Sequence, residues 1–288
     1  GFGASGPERD YVAYGANIEA SSGLAAGTGY HDDDTPYRAN TFYADPITGN
    51  YATIAILAAL RARETSGIGQ WLDLSLNECA ASFFGDAFLE YQRTGQIPPR
   101  RGNRHPIHAP QGAYQTTGDD DWLVLTVRDE ADWHALCTLL DRDDWRSDPT
   151  LATPEGRHAR HDEIDAAITA WTAPLDHREA AQLLQDAGLP AAPVYANYEL
   201  VTDSHLHQRQ FYIPIDHPEA GVLPFAGFPW KFGRTPAQVR RPAPRFAEHN
   251  NHVFGTLLGL TPVDIAQLEA DAVTARVPVT GPVIRVTN

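Results

Sequence analysis

YADPITGNYATIAILAALRARETSGIGQWLDLSL, Tyr43 to Leu76, places one carboxylate, Asp45, at the mouth of a long and almost uncharged run. The spacing predicts a helix from Thr48 to Arg63. Ile54, Leu57, Ala58 and Leu60 spread over both of its faces. A helix apolar nearly all round is expected to be buried on most sides. Thr48 is the expected N-cap. The charged RARE run followed by Gly67 and Gly69 marks the end. WLDLSL, 71–76, alternates in polarity and reads as a strand. A second helix, roughly 77–92, carries Phe83, Phe84, Phe88 and Tyr91. Helix, strand and helix joined by tight glycine turns point to an α/β protein.

Outward from that stretch, residues 1–40 read as turn and loop with one helix in NIEASSGLAAGTG, 17–29. HDDDTPYRAN is a polar loop. Three consecutive carboxylates do not point one way, so they are read as a solvated run rather than a calcium loop. The composition shifts at TGQIPPRRGNRHPIHAPQG, which reads as a linker. Beyond it, AYQTT and WLVLTV flank GDDD as a hairpin. Helices are expected at 129–140, 160–172 and 176–187, and GLPAAPVY returns to extended chain. The expected organisation is 1–92, part of a large domain with the active-site segment; 93–111, a linker; and 112–197, a small α+β domain. Residues 198–273 are a linker and a return to the large domain, with short strands near FYIPID and VLPF and helices near 254–258 and 262–273. Residues 274–288 form a tail, read as a candidate edge strand.

The chain has 288 residues, 42% hydrophobic, with 22 basic against 37 acidic side chains and a formal charge of −15. That size can bury one large domain or two smaller ones. An acidic surface argues against nucleic acid and anionic membrane as partners, while an anionic ligand needs only a local positive site. No apolar run approaches the roughly 20 residues that span a bilayer. Cys79 and Cys137 offer neither metal spacing nor a disulfide framework and read as buried thiols of a cytoplasmic protein. The opening GFGASGP and the lack of any Met suggest a piece of a longer protein.

Physical reasoning leaves Asp45 with two readings. It is a helix-start carboxylate, favoured by the positive end of the dipole, or a nucleophile or general base at a cleft edge. His105 and His108 lie in the linker. His205 and His207 alternate without further ligands, so no metal is expected. GFG at 1–3 and TGYH at 28–31 are too short for a dinucleotide fingerprint, and neither GxSxG nor a P-loop is present.

Several stretches, taken in order, resemble the class III (family III) CoA-transferases, the group of formyl-CoA and carnitine CoA-transferases and, more distantly, α-methylacyl-CoA racemase. They are GFGASGP (1–7), YGANIEASSGLAAGTG (14–29), YADPITG (43–49), AILAALRARETSGIGQWLDLSL (55–76) and NRHPIHAPQGAYQTTGDDDWLVLTV (103–127). GLPAAPV (188–194), DHPEAGVLPFAGFPWKF (216–232), RPAPRFAEHN (241–250) and LLGLTPVDIAQLEADAV (257–273) continue the likeness.

The resemblance implies that Asp45 is the catalytic aspartate. It would carry CoA between carboxylic acids through an aspartyl anhydride and an aspartyl-CoA thioester. It further implies coenzyme A or acyl-CoA as substrate, with contacts from Gly1, Phe2 and Gly3, and no metal. The implied fold is a Rossmann-like large domain, incomplete here and built from both chain ends, with the small domain inserted. Two subunits would interlink as a homodimer, or a second chain would carry the N-terminal portion. One alternative is a non-catalytic or partner-dependent subunit of a split transferase; another is an acyl-CoA racemase or isomerase. Racemases place a His–Asp pair where this chain has Tyr14–Gly15–Ala16–Asn17, which disfavours that activity. HPIHAPQG lacks the glycine run that covers the intermediate in some transferases. RFAEHN has Phe246–Ala247 where the family usually has a glycine before the acidic residue, here Glu248.

Overall fold

The computed structural model describes residues 1–39 and 41–278. The chain divides into two compact units, Gly1–Val194 and Tyr195–Asn288. The first unit opens with five helices: α1 (Gly15–Ser21), α2 (Leu24–Gly27), α3 (Ala44–Ser66), α4 (Leu76–Ala81) and α5 (Gly85–Thr94). Ile18, Ala44 and Ala80 are the buried centre where α1, α3 and α4 meet, and Phe2, Ala13, Leu24 and Leu76 pack against it.

The long helix departs from expectation in three ways. It begins at Ala44, not Thr48, with Tyr43 in the N-cap position. Pro46 is tolerated in a first turn, where its missing N–H has no intrahelical partner to lose. Thr48 is therefore inside the helix, buried, with Oγ1 donating to Ala44 O at 2.7 Å. Nor is the helix buried on most sides. Its buried residues, Ala44, Ile47 and Thr48, all lie near its start, whereas Ile54 is 67% and Leu57 61% exposed. The end is as expected: Gly67 takes φ +73°, and its N–H donates to Arg63 O at 2.8 Å.

WLDLSL forms no strand. A strand exists only with a neighbour to share its ladder, and here other work occupies the segment. Asp73 accepts from Ala4 N–H (2.9 Å), and the Ser75 hydroxyl accepts from Glu78 N–H (3.3 Å) to cap α4. The single helix expected over 77–92 is broken into α4 and α5 by a 3₁₀ turn, Ser82–Phe84.

The later part of this unit follows the sequence reading more closely. Strands β1 (Gln111–Gln115), β2 (Trp122–Thr126) and β3 (Ala191–Val194) form an antiparallel sheet in the order β1–β2–β3. Tyr114 pairs with Leu123, and Val124 with Ala192. Alternation buries Leu123 and Leu125 while Val124 faces out. Between β2 and β3 run α6 (Glu130–Leu139), α7 (Asp143–Ser147), α8 (Pro154–Ala159), α9 (His161–Thr172) and α10 (His177–Asp186). The short α7 and α8 were not expected. The core stacks Trp133 on Trp145 at 5.9 Å between centroids, with Leu136, Ile164, Ile168 and Leu184 around them. Arg157 is buried there with no carboxylate partner among the described residues; its guanidinium donates to Ala109 O (2.6 Å) and Leu151 O (3.0 Å). Cys79 and Cys137 are buried free thiols, and burial pushes the Cys137 thiol up to about 11.

The second unit holds α11 (Asn197–Leu200), α12 (Ser204–Gln208) and an antiparallel hairpin of β4 (Tyr212–His217) and β5 (Gly221–Ala226). A π-helical turn, Asn251–Leu257, and α13 (Pro262–Ala270) complete it. Ala247 sits at φ +61°, the left-handed region that glycine occupies without penalty. Both sheets are antiparallel among the described residues, so the parallel pairing of a Rossmann-like domain is not represented there. The part of the expected tail beyond residue 278 lies outside the described residues. Among the described residues, no helix is long and apolar enough to cross a membrane.

Candidate active site

Asp45 is the second residue of α3 and is exposed. Its side chain caps nothing, and among the described residues its carboxylate has neither a hydrogen bond nor an ion pair. It is nonetheless closely held. The Phe42–Asp45 turn brings Asp45 N–H to Phe42 O at 3.0 Å. Phe42 takes φ +48°, a conformation costly for a side chain of its size. Tyr43 N–H donates to Glu19 Oε1 at 2.7 Å. Glu19 lies on α1 and is only 2% exposed. The first residue of α1, Gly15, faces Asp45 directly: a Cβ built on Gly15 would stand 2.4 Å from Asp45 Oδ2 and 2.7 Å from Phe42 Cβ.

Gly1, Phe2 and Gly3 lie in the same neighbourhood. Phe2 packs on the cluster that contains Ala44, next in sequence to Asp45. Gly1 O accepts from Asn77 N–H at 3.1 Å, and Gly3 takes φ +87°. The N–H groups of Phe2 and Gly3 have no acceptor among the described residues. The Arg38 guanidinium lies over the Phe42 ring, 5.1 Å from its centroid.

Sequence reasoning singled out Asp45 and the opening glycines but missed Gly15, Glu19, Phe42 and Arg38. For Glu19 a signal was available: it is the only charged residue in the otherwise small and apolar ANIEASSGLAAG. For Gly15 and Phe42 there was none, because what matters is what stands opposite them.

The histidines do other work. His105 Nδ1 accepts from Ile107 N–H (3.1 Å) and His108 N–H (3.2 Å), a turn-closing role. His207 Nε2 bonds Val201 O at 2.7 Å. Among the described residues, no group of three or more His, Cys, Asp or Glu is placed to hold a metal. The second unit has a cavity of about 290 Å³ lined by Glu219, Arg245, Glu248, Asn250 and Arg276. Its arginines already face Glu248 (4.0 Å) and Glu269 (2.8 Å), which leaves them little charge for a ligand.

The fold is mixed α/β, and at the start of α3 it presents a carboxylate that is unpaired among the described residues. The chain belongs to CoA-transferase family III, which matches residues 1–250. It is 32% identical to succinyl-CoA–D-citramalate CoA-transferase of Chloroflexus aurantiacus, over 95% of this chain and 67% of that protein. It is 29% identical to succinate–glutarate CoA-transferase of Agrobacterium fabrum, over 89% of this chain and 64% of that one. A solved structure of a CAIB/BAIF family protein from Brucella suis superposes with a TM-score of 0.80 at 25% identity, covering 89% of this chain and 66% of that chain. The chain thus spans about two thirds of the length of these two relatives.

Proposed function

We propose that this chain carries the nucleophile of an acyl-CoA transferase and that Asp45 is that nucleophile. The observation that carries the reading is the Asp45 carboxylate itself, held at the start of α3 yet bonded to nothing among the described residues. One Asp45 oxygen attacks the thioester carbonyl of the donor. The C–S bond breaks, CoA leaves as thiolate, and an acyl–aspartyl anhydride remains. The thiolate then attacks the aspartyl carbonyl, releasing the donor acid and forming an aspartyl-CoA thioester. The acceptor carboxylate attacks that thioester to give a second anhydride and free the thiolate. Thiolate attack on the acceptor's carbonyl yields the new acyl-CoA and restores Asp45. A carboxylate is a weak nucleophile in water, and position and partial desolvation make the attack feasible. The start of α3 puts the positive end of a helix dipole where oxyanion charge develops. The free N–H groups of Phe2 and Gly3 are the donors offered to CoA.

The names of both curated relatives carry dicarboxylic acids, succinate in each. A dicarboxylate donor and acceptor is therefore the substrate class to assay first, and Arg38 is a nearby cation for an anionic substrate. The full-length enzyme is read as a dimer. The test is Asp45→Asn in that enzyme with succinyl-CoA as donor. Transfer should fall by about 1,000-fold or more with the fold intact. Hydroxylamine added during turnover should modify Asp45 in the unmutated enzyme, since it cleaves anhydrides and thioesters but not carboxylates. Near-normal transfer by the variant, or trapping at another residue, would sink the reading.

A further inference from the structure

We infer that α1 is the seat of the nucleophile, with Gly15 and Glu19 acting as positioning residues for Asp45; this rests on the reading of Asp45 as nucleophile. Gly15 is buried, and its φ lies outside the left-handed range, so the backbone does not demand glycine there. Space does. An added Cβ would meet Asp45 Oδ2 at 2.4 Å and Phe42 Cβ at 2.7 Å. Real Cβ atoms do not tolerate such distances, so something must shift. Phe42 Cβ is fixed to the backbone, whereas the Asp45 carboxylate can rotate about its own bonds. Rotation of the Asp45 carboxylate relieves the first contact, and only a shift of the Phe42–Asp45 turn relieves the second, so either adjustment moves the nucleophile's oxygens.

Glu19 follows four residues later, one turn along the same face of α1. Its buried carboxylate takes Tyr43 N–H at 2.7 Å. A hydrogen bond sheltered from water is electrostatically stronger than one in solvent. This one anchors the chain beside Phe42, whose left-handed φ of +48° persists only if its surroundings hold it. One face of α1 thus serves both parts of the nucleophile's turn: its backbone through the Glu19 bond and Asp45 Oδ2 through the space that Gly15 leaves open.

The test uses the full-length enzyme with succinyl-CoA and compares Gly15→Ala, Glu19→Ala, Glu19→Gln and Asp45→Asn. Misplacing a reacting group by about 1 Å costs about 100-fold in rate. Gly15→Ala should lower kcat by about that factor while KM for acyl-CoA stays within about threefold, because binding is not its task. Hydroxylamine trapping at Asp45 should fall in step. Glu19→Ala should lose kcat similarly, and Glu19→Gln should keep it within about threefold because the amide oxygen still accepts from Tyr43 N–H. Near-normal kcat in Gly15→Ala, with Asp45→Asn inactive, overturns the seat and leaves the nucleophile standing. An active Asp45→Asn removes the nucleophile reading, and the seat with it. Should Gly15→Ala not fold, the Glu19 pair decides: equal kcat in the Ala and Gln variants overturns the inference.

Discussion

Asp45 is the second residue of α3, where a carboxylate usually either caps the helix or rests against its dipole. Among the described residues its side chain accepts no hydrogen bond, so Asp45→Asn should shift the melting temperature by no more than about 3 °C. Calorimetry alongside the transfer assay separates that outcome from a stability defect. Ala247 makes the opposite case, a residue whose identity opposes its backbone. Its φ of +61° brings Cβ too close to a carbonyl oxygen, at a cost of roughly 1–2 kcal/mol. Part of that is offset because glycine gives the unfolded chain more freedom. Ala247→Gly should therefore stabilise by about 0.5–1 kcal/mol, read as a higher denaturant midpoint at unchanged slope. An unchanged or lower midpoint would show that the turn carries no strain.

The linker is tied to α9 by a compact polar cluster. Arg104 donates to Asp162 and, at 2.8 Å, to Asp165. Tyr114 Oη donates to the other Asp165 oxygen at 2.9 Å. His161, 2% exposed, stands 3.5 Å from Asp165, and neither of its ring nitrogens has a hydrogen bond among the described residues. His158 lies beside it with Nε2 likewise unbonded. Burial holds both imidazoles below their ordinary value; Asp165 pulls His161 the other way, but that carboxylate is already engaged by Arg104 and Tyr114. A folded-state value depressed below the unfolded one means that the unfolded chain binds protons first. The contribution to stability is whole above the ordinary histidine value of 6.5 and is lost as pH falls from there through the lower folded value. Melting temperature should therefore drop between about pH 7 and pH 5, and His161→Asn should flatten that slope. A slope unchanged in the variant would assign it to other groups.

At the scale of the molecule, exposed apolar surface is the most consequential feature. Ile54, Leu57, Trp71, Phe83 and Leu89 are each more than 60% exposed, large apolar side chains that an interface would cover. The 288-residue chain is accordingly expected to self-associate or to bind a partner. Light scattering across a hundredfold range of concentration tests this, and a monodisperse monomer throughout would refute it. The uneven legibility of the sequence has the same origin. In the later part of the first unit, α6, α9 and α10 fall within a residue or two of expectation, because their hydrophobic periodicity is satisfied by neighbours in the same segment. In the Tyr43–Leu76 stretch, apolarity predicted burial and alternation predicted a strand, and the described contacts supply neither beyond the helix start.

The sequence by itself determined the family likeness, the mixed α/β character and the hairpin, since each depends on local pattern or on motifs read in order. Tertiary structure alone decided where α3 begins, because the buried Glu19, more than twenty residues upstream, fixes Tyr43 N–H. It alone decided that Gly15 is a matter of space rather than backbone freedom, because the atom that would clash belongs to Asp45. Periodicity reports how a residue faces along its own element. A contact between two elements depends on their packing, and no local pattern encodes it.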